Sequence, residues 1–310
     1  MFPAPSRRDV LRTLLAAAAA GLPVTARAQP RPASPLVSTP LTDSLLLVTG
    51  AGGNVVVAHG PGGVLMVNGG TADRSREVLA LVAERTGGAR VETLVNTDWH
   101  PDHGGCNETL GRAGTRILAH EHTKQYMAAD VVVEWQDRTY PARPAPALPT
   151  ETFYTSGELT AGGEPARYGH LGQAHTDGDA YVFFPQSNVL VAGDVLAVGA
   201  YPIADYTTGG WLGGLATATR TLLDLTNAGT RIVPGSGPLQ TRADLQAQHE
   251  MLVAMRDRLG KMMRQGMGAE DMLAAGATKD FDARWGSPAT FVATSYRGLW
   301  LHVRELGGVV

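Results

Sequence analysis

The sequence has little cysteine and no excess of charge of either sign, and both features narrow what the protein can be. Cys106 is its only cysteine, so no internal disulfide holds the fold, and we expect the core to stabilise it, with a metal as a further contribution. The 26 basic and 29 acidic residues give a formal net charge of -3. Because there is no basic excess and no acidic tail, we expect neither a nucleic-acid partner nor extended disorder.

A long apolar run is also missing, which argues against a permanent membrane span. The alanine-rich run at 14–22 is too short to cross a bilayer as a stable helix. It follows the pair Arg7 and Arg8 and precedes small residues that end at Ala28, which together resemble a twin-arginine signal. We therefore predict a signal peptide over residues 1–28, recognition by export machinery, and a periplasmic or secreted mature protein. An ordinary secretory signal that happens to carry two arginines is the alternative.

The mature chain divides by composition and periodicity into three parts. Residues 29–40 are rich in proline and serine and are expected to form a flexible lead-in. Short apolar strands and glycine-rich turns then predict one strand-rich domain over residues 41–240. Within it, residues 130–150 contain four prolines and are expected to form a loop without regular elements. Helical spacing in the last part predicts a C-terminal helical extension over residues 241–310.

Six consecutive residues concentrate groups that bind metals. The stretch Asp98-Trp99-His100-Pro101-Asp102-His103 directly follows the apolar strand predicted at 91–95. Loops at strand ends let side chains converge, and two imidazoles beside two carboxylates favour a cation among them. His175 and Asp194 lie in comparable contexts further along the chain, in a polar loop before a strand and at the end of an apolar strand.

Four segments, at 96–107, 172–179, 192–194 and 233–238, together resemble the metallo-β-lactamase-fold superfamily. The resemblance implies an α+β protein, an αββα sandwich of two mixed β-sheets flanked by helices, with metals at one edge of the sheets. It also implies six ligands. In that scheme Asp98, His100 and His175 hold one ion, Asp102 and His103 hold another, and Asp194 bridges them. Residues 201–205 and 209–210 further resemble a branch of exported, uncharacterised members.

The sequence departs from that family pattern at three positions. Asp98 replaces the first histidine, and Asn68 stands where the family usually has aspartate. Ser236 replaces the last histidine and is a weak or lost ligand position, since a hydroxyl binds divalent ions poorly at neutral pH. We expect one or two divalent ions, and zinc is the expected metal. Manganese or iron is the alternative, because the carboxylate at position 98 is a harder ligand than an imidazole. Cys106, His120 and His122 are alternative ligands, although an ordinary packing or strand-end role is the preferred explanation for each.

These residues predict a metal-dependent hydrolase of a small-molecule ester, thioester, lactone or lactam. The metal would lower the pKa of water and polarise the scissile group, and Asp102 would orient the nucleophile or transfer a proton. The alternative is a non-catalytic metal- or ligand-binding protein on a decayed hydrolase scaffold, and redox chemistry at a metal pair is a third hypothesis. The aromatic residues expected to line a substrate pocket are Trp99, Trp135, Tyr140 and Tyr201.

Overall fold

The computed structural model describes residues 34–160 and 162–304. The predicted signal peptide, residues 1–28, lies outside this range. Within it, the strands form a seven-stranded sheet, a five-stranded sheet and a two-stranded hairpin. The first sheet contains, in spatial order, β1 (Val37–Pro40), β2 (Leu45–Ala51), β3 (Gly53–Gly60), β4 (Gly63–Val67), β5 (Val91–Val95), β6 (Arg116–His120) and β9 (Glu151–Phe153). The second contains β10 (Ser156–Leu159), β11 (Ala166–His170), β12 (Ala180–Phe184), β13 (Val189–Gly193) and β14 (Arg231–Pro234). The hairpin consists of β7 (Val131–Val133) and β8 (Arg138–Tyr140).

Both large sheets are mixed, as expected from the sequence. Strands β1 to β4 pair antiparallel, and β4, β5, β6 and β9 then continue in parallel. The second sheet is antiparallel except for the pair β13–β14. The helices of the described residues are α1 (Ser75–Arg85), α2 (Asn107–Arg112), α3 (Glu121–Met127), α4 (Leu212–Leu225), α5 (Arg242–Arg264), α6 (Ala269–Ala274), α7 (Asp282–Trp285) and α8 (Ala289–Leu301).

The alternation of side chains along each strand builds four layers. In β4, Leu65 and Val67 pack into the core between the two sheets, whereas Val64 and Met66 face the opposite side, toward α1. The second sheet alternates in the same way between the shared core and the helices α4, α5 and α8. Strands buried on both faces explain the continuous apolar runs in the sequence. The αββα sandwich is therefore confirmed.

The C-terminal helices belong to the same body as the second sheet. Leu215 of α4, Met255 of α5 and Val292 of α8 are all fully buried in one cluster with that sheet's outer face. Burying each such side chain contributes about 1.5–3 kcal/mol. Helix α5 begins with a capping box, in which the Thr241 hydroxyl and the Asp244 carboxylate each accept a hydrogen bond from the other's backbone N–H. No helix among the described residues is both long and apolar enough to cross a membrane.

Two predictions of irregular chain are wrong in part. Residues 37–40 of the expected flexible lead-in form β1, which pairs antiparallel with β2 through its backbone and buries little side-chain surface. The expected loop at 130–150 contains the hairpin β7–β8, in which Val131 and Val133 are buried and Val132 is exposed. Both elements are held by backbone pairing over three or four residues, which is too short for a periodic sequence signal.

Candidate metal centre

Five of the six predicted ligands converge at one edge of the sandwich, because the strands that carry them end there. The loop after β5 carries His100 and His103, the loop after β11 carries His175, and Asp194 directly follows β13. The His175 Nε2 atom lies 3.3 Å from His100 Nδ1 and 3.6 Å from Asp194 Oδ2. The His103 Nε2 atom lies 3.5 Å from Asp194 Oδ1. The fifth, Asp98, contacts His103 directly.

The convergent side chains form two groups of three that share Asp194. One contains His100, His175 and Asp194, the other contains Asp98, His103 and Asp194, and the ligand atoms in each group lie within 4.8 Å of one another. This differs from the grouping implied by the family resemblance, which placed Asp98 with His100 and His175. Asp98 contacts both histidines of its loop, with Oδ1 3.3 Å from His100 Nδ1 and Oδ2 2.7 Å from His103 Nδ1. The shorter contact is the one within the second group.

Asp102 belongs to neither group among the described residues. It is half-buried and lines an open cavity together with His100, His175 and Asp194. Its predicted ligand role in the second site is therefore not supported by the geometry, whereas its predicted role as a proton-transfer group needs this kind of access.

The buried charges of the centre stabilise one another. Burial alone would neutralise Asp98 and His103. Their mutual attraction acts together with His100 on Asp98 and with Asp194 and Asp102 on His103, and these partners jointly outweigh burial. The pKa of Asp98 is therefore held well below its usual range and the pKa of His103 well above it. Burial also opposes the charge of His175, but Asp194 and its neighbours raise the pKa of that imidazole to about 9. A metal ion bound to these imidazoles would replace their protons.

The donor set fits a divalent ion. The Nε2 atom of His103 is buried and has no hydrogen-bond partner among the described residues, which is unusual for a polar atom and is expected of an atom that ligates a metal. The backbone leaves space around it. A Cβ at Gly235 would lie 1.8 Å from Asp194 Oδ1 and 3.0 Å from His103 Nε2. Imidazole nitrogens and carboxylate oxygens at such spacing are suitable ligands for zinc and similar metals.

Polar side chains behind the loop hold its shape. Asn68 adopts a left-handed backbone conformation with φ of 63°, which asparagine tolerates better than most residues. Its Oδ1 accepts from Thr97 N at 2.9 Å, and its Nδ2 donates to Thr97 Oγ1 at 3.0 Å. Asn96 donates to His103 O at 3.1 Å and accepts from Asn107 Nδ2 at 2.8 Å. The asparagine at position 68 is therefore a structural support of the ligand loop.

Asp205 is a residue of this centre that the sequence did not identify. It is fully buried, and its Oδ2 lies 3.8 Å from His100 Nε2. Its Oδ1 accepts a hydrogen bond from Trp135 Nε1 at 3.0 Å, and its backbone N–H donates to His175 O at 2.7 Å. The neighbouring Ile203 O accepts from His175 Nδ1 at 2.8 Å. The resemblance of residues 201–205 to family members was the one sequence feature that pointed to Asp205.

The predicted pocket aromatics divide between two cavities. Trp135, Tyr140 and Tyr201 line the cavity of about 330 Å³ that opens above the ligands and also includes Ser236. Trp99 lies beneath, where its ring stacks on His100 with centroids 4.4 Å apart, and it lines an adjacent cavity. The Tyr201 hydroxyl points away from the ligands and donates to Asp282 at 2.8 Å. The C-terminal extension thereby anchors one wall of the cavity.

The three alternative ligands lie elsewhere. The Cys106 Sγ atom is buried and donates to Gly69 O at 3.1 Å, and burial raises the pKa of its thiol to about 11. His120 and His122 contact each other and lie apart from both ligand groups. None of them completes the centre among the residues described.

Comparison with known proteins agrees with this geometry. The family model for the metallo-beta-lactamase superfamily matches residues 48–236. The chain belongs to that superfamily. A metallo-beta-lactamase from Pontibacter korlensis is similar in structure, with a TM-score of 0.58 at 19% sequence identity over 71% of this chain and 99% of that chain. The DIM-1 metallo-beta-lactamase has a TM-score of 0.56 at 18% identity over 71% of this chain and 98% of that chain.

A larger superfamily member is also similar. The stereoselective inverting sec-alkylsulfatase Pisa1 from Pseudomonas sp. has a TM-score of 0.64 at 15% identity, over 86% of this chain and 50% of that chain. The present chain thus spans half the length of the sulfatase. At these identities the similarity establishes the fold and leaves the reaction to be argued from the site.

Proposed function

We propose that the protein is an exported, metal-dependent hydrolase that cleaves an ester, thioester, lactone or lactam in a small molecule. The observation that carries this proposal is the pair of ligand groups sharing Asp194 beneath an open cavity. The cavity of about 330 Å³ lies within the range of small-molecule sites. Solved relatives with this fold include lactamases and an alkylsulfatase, all of which are hydrolytic.

The side chains of the centre have separable tasks in this proposal. A divalent ion bound there would supply Lewis acidity and make water acidic enough to react near neutral pH. His100, His175 and Asp194 would hold it, and the hydrogen bond from His175 Nδ1 to Ile203 O fixes which imidazole nitrogen faces the centre. Asp102 lines the same cavity outside both ligand groups, so it would accept a proton from the attacking water or deliver one to the leaving group.

The two groups should differ in affinity. The group with His100 and His175 has two imidazoles, whereas the group with His103 has one, and its carboxylate Asp98 already contacts His103 at 2.7 Å. Ser236 lines the cavity and is exposed, and serine adds no strong ligand. We propose that the first group binds zinc before the second is occupied, with manganese or iron as alternative ions because carboxylates are prominent.

A substrate panel with matched variants tests the hydrolase. The panel should contain a β-lactam, a lactone, a thioester, a carboxylic ester and a secondary alkyl sulfate, each assayed with and without chelator. We expect chelator and His175→Ala to abolish activity on the accepted substrate, and His122→Ala, which removes a histidine outside the centre, to leave it intact. Asp102→Asn should lower kcat by about 100-fold while the protein keeps its metal. Metal loading without turnover on any substrate would instead indicate a binding protein.

Export rests on the sequence of residues 1–28. The pair Arg7 and Arg8 before a short apolar run supports the twin-arginine route, which carries folded proteins and would place the hydrolase in the periplasm or outside the cell. Replacing both arginines with lysine should leave the precursor in the cytoplasm, as measured by fractionation and immunoblotting. Normal export of that variant would assign the protein to the general secretory route.

A further inference from the structure

A second cavity of about 300 Å³ adjoins the metal centre and has a different chemical character. The two cavities share Pro101 and Tyr140 in their walls, so they lie side by side. The aromatic rings of Trp99, Tyr126 and Tyr140 provide flat apolar surface, and Arg138 and Arg143 bring two cationic groups to the same wall. We call this space the arginine cavity.

Arg143 is the inner of these cations and is fixed in place. Its Nη2 donates to the backbone oxygen of Trp99 at 2.5 Å, and its Nη1 packs so closely on Gly104 that a Cβ there would lie 1.9 Å away. Burial lowers the pKa of the guanidinium to about 10, against the attraction of Asp98 and Asp102, so it stays charged at neutral pH. Among the residues that the structure describes, no carboxylate lies within ion-pair distance of it, and Asp98 and Asp102 attract it from further away.

The remaining charges of the wall do not neutralise Arg143. The guanidinium carbon of Arg138 lies 4.5 Å from the centre of the Tyr140 ring, a cation–π contact at the rim. Glu108 is the one acid of the wall, and its carboxylate is bound by Arg112 at 2.6 Å. The arginine cavity therefore combines aromatic surface with an excess of positive charge beside a centre that is itself rich in carboxylates.

We propose that the arginine cavity binds the carboxylate of a flat, apolar substrate and that Arg143 determines this specificity. The proposal rests on the proposed hydrolase function, because it assigns the substrate class of the same site. A planar guanidinium matches a carboxylate in geometry and binds it with charge-assisted hydrogen bonds. The aromatic walls would hold the apolar part, and the shared border at Tyr140 would direct the scissile bond toward the ligand groups.

Calorimetric titration with a matched pair of probes tests this without requiring turnover. The probes are 2-naphthoate and its neutral analogue 2-naphthamide, added to the purified protein. We expect naphthoate to bind more tightly than naphthamide, and Arg143→Met to weaken naphthoate binding by about tenfold or more, as the loss of a hydrogen bond to a charged group predicts. Naphthamide binding should change little. The control is Arg116→Met, which removes an exposed arginine bound to Glu151.

Two further arms separate this proposal from its alternatives. Arg143→Lys keeps the positive charge but loses the planar pair of N–H donors, so we expect it to bind naphthoate with intermediate affinity. If circular dichroism shows that Arg143→Met does not fold, the lysine variant still tests the proposal. The titration is then repeated after chelation, and naphthoate should still bind. Equal binding of the two probes, unchanged affinity in the folded Arg143 variants, or loss of naphthoate binding with the metal would overturn the proposal. A protein that binds naphthoate but hydrolyses nothing would contradict only the proposed function.

Discussion

The molecule contains two clusters of three histidines, and they differ in what surrounds the rings. In the metal centre, His100, His103 and His175 lie against Asp98 and Asp194. In the second cluster, which we call the histidine stack, the ring of His120 lies parallel to that of His170 at 3.7 Å and edge-on to His122 at 4.9 Å. Among residues 34–160 and 162–304, the one carboxylate that forms an ion pair with a ring of the stack is that of Asp177, 3.1 Å from His122 Nδ1.

The difference in neighbours reverses the direction of the pKa shifts. Burial disfavours charge in both clusters, but the carboxylates of the centre raise the pKa of His103 and His175 above the usual value. In the stack, burial and the neighbouring histidines both lower the pKa of His120, to about 4. Histidine clustering alone therefore does not make a metal site. Carboxylates placed among the imidazoles favour a metal site, because they leave negative charge that a divalent ion can balance.

The largest effect is expected from adding a methyl group at the centre. Gly235→Ala would place a Cβ 1.8 Å from Asp194 Oδ1, so the carboxylate that the two ligand groups share must move. We expect metal affinity to fall by about 100-fold, comparable to the strongest effects of disturbing a ligand's support, in a competition titration against a chromophoric chelator. Gly62→Ala is the matched control, because the nearest atom to its Cβ would be Thr160 O at 3.8 Å. Unchanged affinity in Gly235→Ala would remove Asp194 from the ligand set.

Adding a histidine at the centre should strengthen metal binding instead of weakening it. Ser236 lines the cavity beside Asp102 and Asp194, so Ser236→His would offer the second group another imidazole. We expect the number of tightly bound ions to rise from nearer one toward two, measured by native mass spectrometry. If the unaltered protein already holds two ions tightly, the proposal that Ser236 leaves the second group with low metal affinity is wrong.

A smaller effect is expected from the buried carboxylate that faces His100. Asp205→Asn keeps the size of the side chain but removes the charge 3.8 Å from His100 Nε2. We expect metal affinity to fall about tenfold, the lower end for an outer partner of a ligand. Asp282→Asn is the control, because Asp282 accepts from Tyr201 and contacts no histidine of the centre. Equal affinities in the two variants would show that Asp205 only supports the fold.

The smallest effect concerns the stack and appears only with pH. The pKa of His120 in the folded protein, about 4, lies below its unfolded value of about 6.5. Its contribution to stability is therefore present above pH 6.5 and is lost as the pH falls toward 4. His120→Asn can still cap α3, as His120 does by accepting from His122 N, but it does not titrate. We expect its Tm to fall less than that of the wild type between pH 6.5 and 4. Parallel curves would contradict the assignment.

The sequence predicted the features that repeat along the chain or cluster within it. The helices within residues 241–310 follow from helical spacing, and the αββα architecture follows from the family resemblance carried by the ligand segments. Two features could not be predicted. The pairing of Asp98 with His103 depends on which way a side chain turns within one loop, and Asp205 reaches Trp135 across 70 residues of sequence. Neither contact leaves a local pattern.

The metal content of the purified mature protein decides whether the carboxylate-lined cluster holds an ion. Elemental analysis by mass spectrometry should find about one tightly held divalent ion per chain, lost in His175→Ala and retained in His122→Ala, because we propose that the carboxylate-lined cluster and not the histidine stack binds the metal. The same ion content in all three proteins, or no metal in the unaltered protein under metal-replete expression, would contradict the proposal that the cluster containing His175 binds a metal.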